Sequence, residues 1–153
     1  ANTCEAFHQT ASSENGEGAY LAMRKAMDMA RLSPRDIDYI NAHGTGTPNN
    51  DETELAAMQR IWDYELPKFS STKAFTGHTT SASGSIEAVI CLLALRHGFL
   101  PQNLGWKNPI KDDAIPVLEK CNTENVEKII NNSFGFGGND STLIFSKFHK
   151  DNG

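Results

Sequence analysis

Two histidines and a lysine lie in short segments rich in glycine and threonine. His43 sits in Asn41-Ala42-His43-Gly44-Thr45-Gly46-Thr47, and His78 closes Ser71-Thr72-Lys73-Ala74-Phe75-Thr76-Gly77-His78. A third segment, Asn132-Ser133-Phe134-Gly135-Phe136-Gly137-Gly138, sets two aromatic rings among glycines. A loop imidazole can move a proton near neutral pH or donate an N–H to a developing anion. A lysine five residues before the second histidine adds a cation, which needs a partner if it is buried. Taken singly, each residue has a plainer reading. A loop histidine is usually solvated, and a lysine usually lies at the surface. The three segments therefore count mainly by occurring together.

The elements around them place all three segments at strand ends. Residues 19–31 carry Ala, Met and Leu at helical spacing. Ser33-Pro34 looks like an N-cap followed by proline, starting one short turn. Residues 37–41 read as a buried strand running into the His43 loop. Asn49 or Asn50 is a candidate cap for a helix over residues 51–62, which has acidic residues in its first turn. A short strand over 69–72 precedes the Lys73–His78 segment. The small residues of 79–85 open a third helix that ends near His97-Gly98. Residues 101–125 hold three prolines and read as an extended excursion. Strands over 127–132 and 141–148 flank the glycine-rich third segment as a hairpin. Residues 1–15 are polar and show no period. Alternating helices and strands point to a layered α/β domain, and α/β proteins place chemistry on loops at strand ends.

Composition narrows the function classes. The chain has 153 residues, a formal charge of −5 and 39% hydrophobic residues, within the range of an ordinary globular domain. No basic stripe supports nucleic-acid binding. No apolar run is long enough to span a bilayer. The three cysteines, Cys4, Cys91 and Cys121, are odd in number and widely spaced, which argues for reduced thiols in a cytoplasmic protein rather than a disulfide framework. The five histidines show no zinc-site spacing, so no metal is expected. Gly135-Phe136-Gly137-Gly138 lacks the lysine and helix of a phosphate-binding loop.

In this order, the three loops resemble the three C-terminal signatures of the β-ketoacyl synthases, the condensing enzymes of fatty-acid and polyketide synthesis. The resemblance runs from Gly16-Glu17-Gly18 to the last strand. It implies a thiolase-like α/β half, a mixed β-sheet covered by helices, with residues 1–153 forming the second half of a longer synthase. The first half would carry a nucleophilic cysteine holding an acyl thioester. Malonyl on acyl carrier protein would lose carbon dioxide, and the enolate would attack that thioester.

Residue by residue, the resemblance makes His43, His78 and Lys73 catalytic and sets Glu87 opposite Lys73. It assigns Thr45 and Thr47 to hydrogen bonds with the phosphopantetheine arm, and Phe134 and Phe136 to a gate on the acyl pocket. Besides that arm on the carrier protein no cofactor is implied. The implied partners are acyl carrier protein, the N-terminal half of the synthase and a second copy in a homodimer. Two departures stand near the site. Thr79-Thr80-Ser81-Ala82-Ser83-Gly84 replaces the usual Leu-Leu-Gly-Ala-Ala-Gly, and Gly138-Asn139-Asp140 stands where Gly-Gly-Thr-Asn usually closes the third loop. The first strand of the half is expected to end before Ala1, leaving an incomplete sheet and an exposed apolar face that invites pairing. A non-catalytic partner subunit is the main alternative. A thiolase-type degradative enzyme is a weaker one, because no cysteine sits in a suitable glycine-rich loop.

Overall fold

The computed structural model describes residues 1–63, 65–111, 114–122 and 125–149. Its main sheet contains β1 (Asn2–Cys4), β2 (Tyr39–Asn41), β3 (Lys68–Ser70), β6 (Lys128–Gly135) and β7 (Asn139–Ser146), in the order β1-β7-β6-β2-β3. β2 runs parallel to both β3 and β6, whereas β7 is antiparallel to β6 and β1. A separate antiparallel pair joins β4 (Phe99–Leu100) to β5 (Cys121–Asn122). The helices are α1 (Glu17–Ala30), α2 (Pro48–Trp62), α3 (Lys73–Thr76) and α4 (Ser83–His97).

Strand alternation sorts the central strands' side chains onto two faces. Ile40 and Ile130 pack with Met23 and Met27 of α1 and with Leu55, Met58 and Trp62 of α2. Tyr39 and Ile129 pack on the other face with Cys91, Ala94 and Leu95 of α4. Ile40, Ile129 and Ile130 are completely buried, and each contributes roughly 1.5–3 kcal/mol relative to exposure. The mixed, helix-covered α/β architecture expected from the sequence is the one observed.

Several boundaries differ from expectation. β1 lies inside the chain, so the sheet's first strand does not end before Ala1. Its three residues are polar and alternate between exposed and half-buried, and their pairing comes from backbone bonds to β7. α2 begins at Pro48, with Thr47 rather than Asn49 or Asn50 as its N-cap. Proline's fixed φ suits a first helical position. The Lys73 segment folds as the short helix α3, and Cys121–Asn122 within the expected excursion form a strand; residues 112, 113, 123 and 124 of that excursion lie outside the described residues. The turn at Pro34–Asp36 forms as read, with Ser33 and Asp36 as a capping box. Trp62 Nε1 donates to the carbonyl of Pro34 at 2.8 Å, fastening α2 to that turn.

α4 is apolar on nearly every side, and Val89, Leu92 and Leu93 are exposed along it. An exposed apolar face is therefore present, but on α4 rather than at a sheet edge left open by a missing first strand. Among the described residues no helix is long and apolar enough to cross a membrane.

Candidate active site

The site is built at the ends of the parallel strands. β2 leads into the His43 loop, where Glu54 of α2 accepts backbone N–H bonds from His43 and Gly44, both at 2.9 Å. Ser71, just after β3, donates its hydroxyl to the Gly44 carbonyl at 2.9 Å. Gly44 has φ +43°, and a Cβ there would lie 2.5 Å from Ser71 Cβ, so this position requires glycine. Two neighbouring loops are thereby clamped together from beneath.

α3 and α4 supply the other groups. Lys73, at the start of α3, is buried, and its Nζ lies 2.5 Å from Oε1 of the fully buried Glu87 on α4. The same Nζ is 3.3 Å from His43 Nδ1. The His78 ring stands edge-on to that of His43, with centroids 5.5 Å apart and planes at 88°. Phe134 of β6 closes the other side of His43 at 5.7 Å.

These contacts assign the ring hydrogens. His78 Nδ1 accepts the N–H of Thr80 at 3.2 Å, a contact favoured by the left-handed backbone of Thr80, φ +50°. With Lys73 donating, His43 Nδ1 is likewise an acceptor. Each neutral ring then carries its hydrogen on Nε2. His43 stays neutral because burial, and then the charge of Lys73, push its pKa down to about 3. The result is two neighbouring imidazoles whose Nε2–H groups are not used in these contacts.

A cavity of about 440 Å³ opens beside the pair, with Lys73, His78, Gly44 and Thr45 in its walls and Met58, Phe69 and Trp106 at its apolar side. The hydroxyls of Thr45 and Thr47 are 2.8 Å apart in the exposed loop leading to α2. His43, Lys73, His78, Glu87 and Phe134 are thus brought into one cluster, with Thr45 and Thr47 at its edge. Phe136 stands apart on the β6–β7 hairpin tip, 78% exposed.

Residues 1–107 match the family model for the beta-ketoacyl synthase, C-terminal domain. The chain belongs to this family. It is 40% identical over 148 residues to the mitochondrial 3-oxoacyl-[acyl-carrier-protein] synthase of Arabidopsis thaliana, covering 93% of this chain and 32% of the relative. Among solved structures it is similar to a ketosynthase in complex with its chain length factor from Xenorhabdus doucetiae, with a TM-score of 0.83 and 38% identity over 95% of this chain and 37% of that one. It is also similar to a type II PKS ketosynthase in complex with its acyl-carrier protein, with a TM-score of 0.91 and 25% identity over 97% of this chain and 37% of that one. The chain therefore spans about a third of the length of the proteins it matches.

The β-ketoacyl synthase domain also holds groups the sequence reading passed over. Asn132 Nδ2 donates to Glu54 at 3.1 Å, and Thr142 donates to Asn132 Oδ1 at 2.9 Å. On the α4 face, Asn41 Nδ2 donates to Asn131 Oδ1 at 2.8 Å. Burial pushes the Glu54 carboxyl up, opposed by the backbone donors of Gly44 and His43. One signal could have exposed Glu54: it is an acid beside Leu55 and one turn from Met58, on the buried face of an otherwise polar helix. Burial pushes the Cys91 thiol up to about 12, so it is no nucleophile at neutral pH. Among the described residues no group of three or more His, Cys, Asp and Glu could hold a metal ion.

Proposed function

We propose that this domain supplies the decarboxylating half of a 3-oxoacyl-[acyl carrier protein] synthase active site. The observation that carries the reading is the pair of neutral imidazoles, each with Nδ1 already engaged and Nε2–H free. When the malonyl C–C bond breaks, carbon dioxide leaves and the bonding electrons pass to the thioester, placing negative charge on its oxygen. Two fixed N–H donors stabilise that oxygen more than the neutral thioester. Lys73, held by Glu87, orients His43 and adds positive charge near the enolate. The enolate carbon then attacks the acyl thioester on a cysteine outside this chain, the thiolate leaves, and a β-ketoacyl chain longer by two carbons results.

In this reading Thr45 and Thr47 bind the phosphopantetheine arm of acyl carrier protein, and Phe134 and Phe136 border the acyl entry. The rest of a longer synthase covers the apolar face of α4, and the whole works as a cytoplasmic homodimer.

The test uses the intact synthase with malonyl carried on acyl carrier protein. His43→Ala and His78→Ala each remove one donor worth about 3 kcal/mol, so decarboxylation should fall by about 10²–10³-fold. Unchanged decarboxylation in both variants would move the chain to the class of non-catalytic partner subunits.

A further inference from the structure

Asp140 is a buried carboxyl just after the tip of the β6–β7 hairpin. It is 3% exposed on β7, and its Oδ2 has no hydrogen-bond partner. α1 makes room for it with Gly18, where a Cβ would lie 1.9 Å from Oδ2 and 3.0 Å from Glu5 Cβ. Asp140 and Glu5 therefore meet over the same glycine.

Glu5 is also the clamp on the hairpin tip. Its N–H donates to Gly138 O at 2.9 Å, and Gly137 donates to Gln9 O at 2.8 Å from the same N-terminal segment. A Cβ on Gly138 would lie 1.9 Å from the Glu5 carbonyl oxygen, so the two backbones are in direct contact. The Glu5 carboxylate accepts from Ser13, whose own hydroxyl accepts the Glu17 N–H at the start of α1. Tip, N-terminal segment and α1 thus join at Glu5, directly beside Asp140.

We infer that Asp140 is a proton-dependent latch: protonated, it lets the Phe136-bearing hairpin tip seat on Glu5, and ionised, it drives the two carboxyls apart and loosens the tip. Burial first, then the charges of Glu5 and Glu54, push Asp140 up to about 7. The other neighbours do not neutralise it. Glu17 on α1 is held by Arg60 at 2.8 Å, β6 brings uncharged Phe134 opposite, and the Ala1 ammonium donates to Thr142 O, two residues along β7. Cys4 on β1 and His8 in the N-terminal segment are both exposed.

The sign follows from linkage. The seated tip keeps Asp140 protonated up to about pH 7, whereas a released, solvated carboxyl ionises near the ordinary value of about 3.9. Raising pH between those values favours release by up to about tenfold per pH unit, and above the upper value the effect levels off.

Hydrogen exchange of the Gly137 and Glu5 amides, corrected for intrinsic rates, reads this directly in the intact protein from pH 5 to 8.5. Protection should fall by up to about tenfold per pH unit between pH 5 and about 7, then level off. In Asp140→Asn the fall should vanish while Cys4 and His8 are unchanged. Glu5→Gln keeps Asp140 but removes the repulsion, so its plateau should begin at lower pH. The latch is overturned if Asp140→Asn keeps the parent's slope. If that variant does not fold, a Glu5→Gln plateau at the parent's pH overturns it instead. No activity is measured, so either result leaves the condensing reading to its own test.

Discussion

Glu87→Leu isolates what the buried ion pair does. Lys73 and Glu87 side chains are 6% and 0% exposed and 2.5 Å apart. Leucine fills most of the glutamate's volume, so the substitution removes charge without opening a large cavity. It leaves a buried ammonium with no counter-charge, at a cost of about 3–5 kcal/mol. The lysine can escape that cost by releasing its proton. A neutral amine next to Nδ1, 3.3 Å away, no longer holds the His43 ring hydrogen on Nε2. Decarboxylation of the malonyl thioester should then fall by about 10²-fold, close to the loss of one oxyanion donor.

The second half of the cycle separates stability from chemistry. Lys73→Met added to Glu87→Leu replaces the pair with apolar groups, and most of the lost stability should return. Activity should not return, because the cation is gone. Denaturant midpoints and decarboxylation rates of parent, both single variants and the double variant are the measurements. A Glu87→Leu variant within about 1 kcal/mol of the parent would refute the reasoning, since a buried unpaired charge cannot be that cheap. Simple additivity of the two substitutions would refute it equally, since it would mean the groups do not act as a pair.

Two further outcomes follow from the same geometry. Glu54→Leu leaves the N–H groups of His43 and Gly44 and the amide of Asn132 without their acceptor; with about 1–3 kcal/mol for each unsatisfied buried donor, unfolding free energy should drop by at least about 3 kcal/mol, and a smaller change would show that the strap is not structural. His43, with its folded pKa pushed down to about 3, should show no imidazole titration by NMR between pH 5 and 8. An unfolded histidine takes up a proton below about 6.5, so this residue's contribution to stability is full above that value and is lost as pH falls toward its folded value; a His43 midpoint near 6.5 in the folded protein would refute its burial between Lys73 and Phe134.

What could be read from the sequence depended on the range of the interactions involved. The Ser33-Pro34 turn, the end of α4 at Gly98 and the hairpin at Gly137-Gly138 are local backbone features, and residue type announces them. His43, Lys73 and His78 stood out through their loops, and Glu87 through the family pattern. Its inward position with Cys91 and Ala94 on α4 also fits helical spacing. Glu54 and Asn132 did not stand out, because their bond joins residues 78 apart in sequence. β1 escaped notice because its three polar residues gain a strand only from a partner at the far end of the chain, Asn2 opposite Ser141. The pairing of β4 with β5 is similar: two-residue strands too short to carry a period.

The polar layer across the strand ends explains why the site is precise rather than merely assembled. Asn41 and Asn131 are opposed in the parallel register of β2 and β6, and their side-chain amides bond across it on the α4 face. One residue on, Asn132 turns to the opposite face and meets Glu54 and Thr142. Strand alternation therefore sends one amide under the Lys73–Glu87 side of the site and the next under the His43 loop. An apolar layer here would allow small slips of β2 against β6, whereas fully buried amides lose their partners if the register shifts. Such a slip would move His43 relative to Lys73 and free its Nδ1. The asparagines thus stabilise a geometry more than a fold, and their contribution belongs with the two N–H donors whose positions they set.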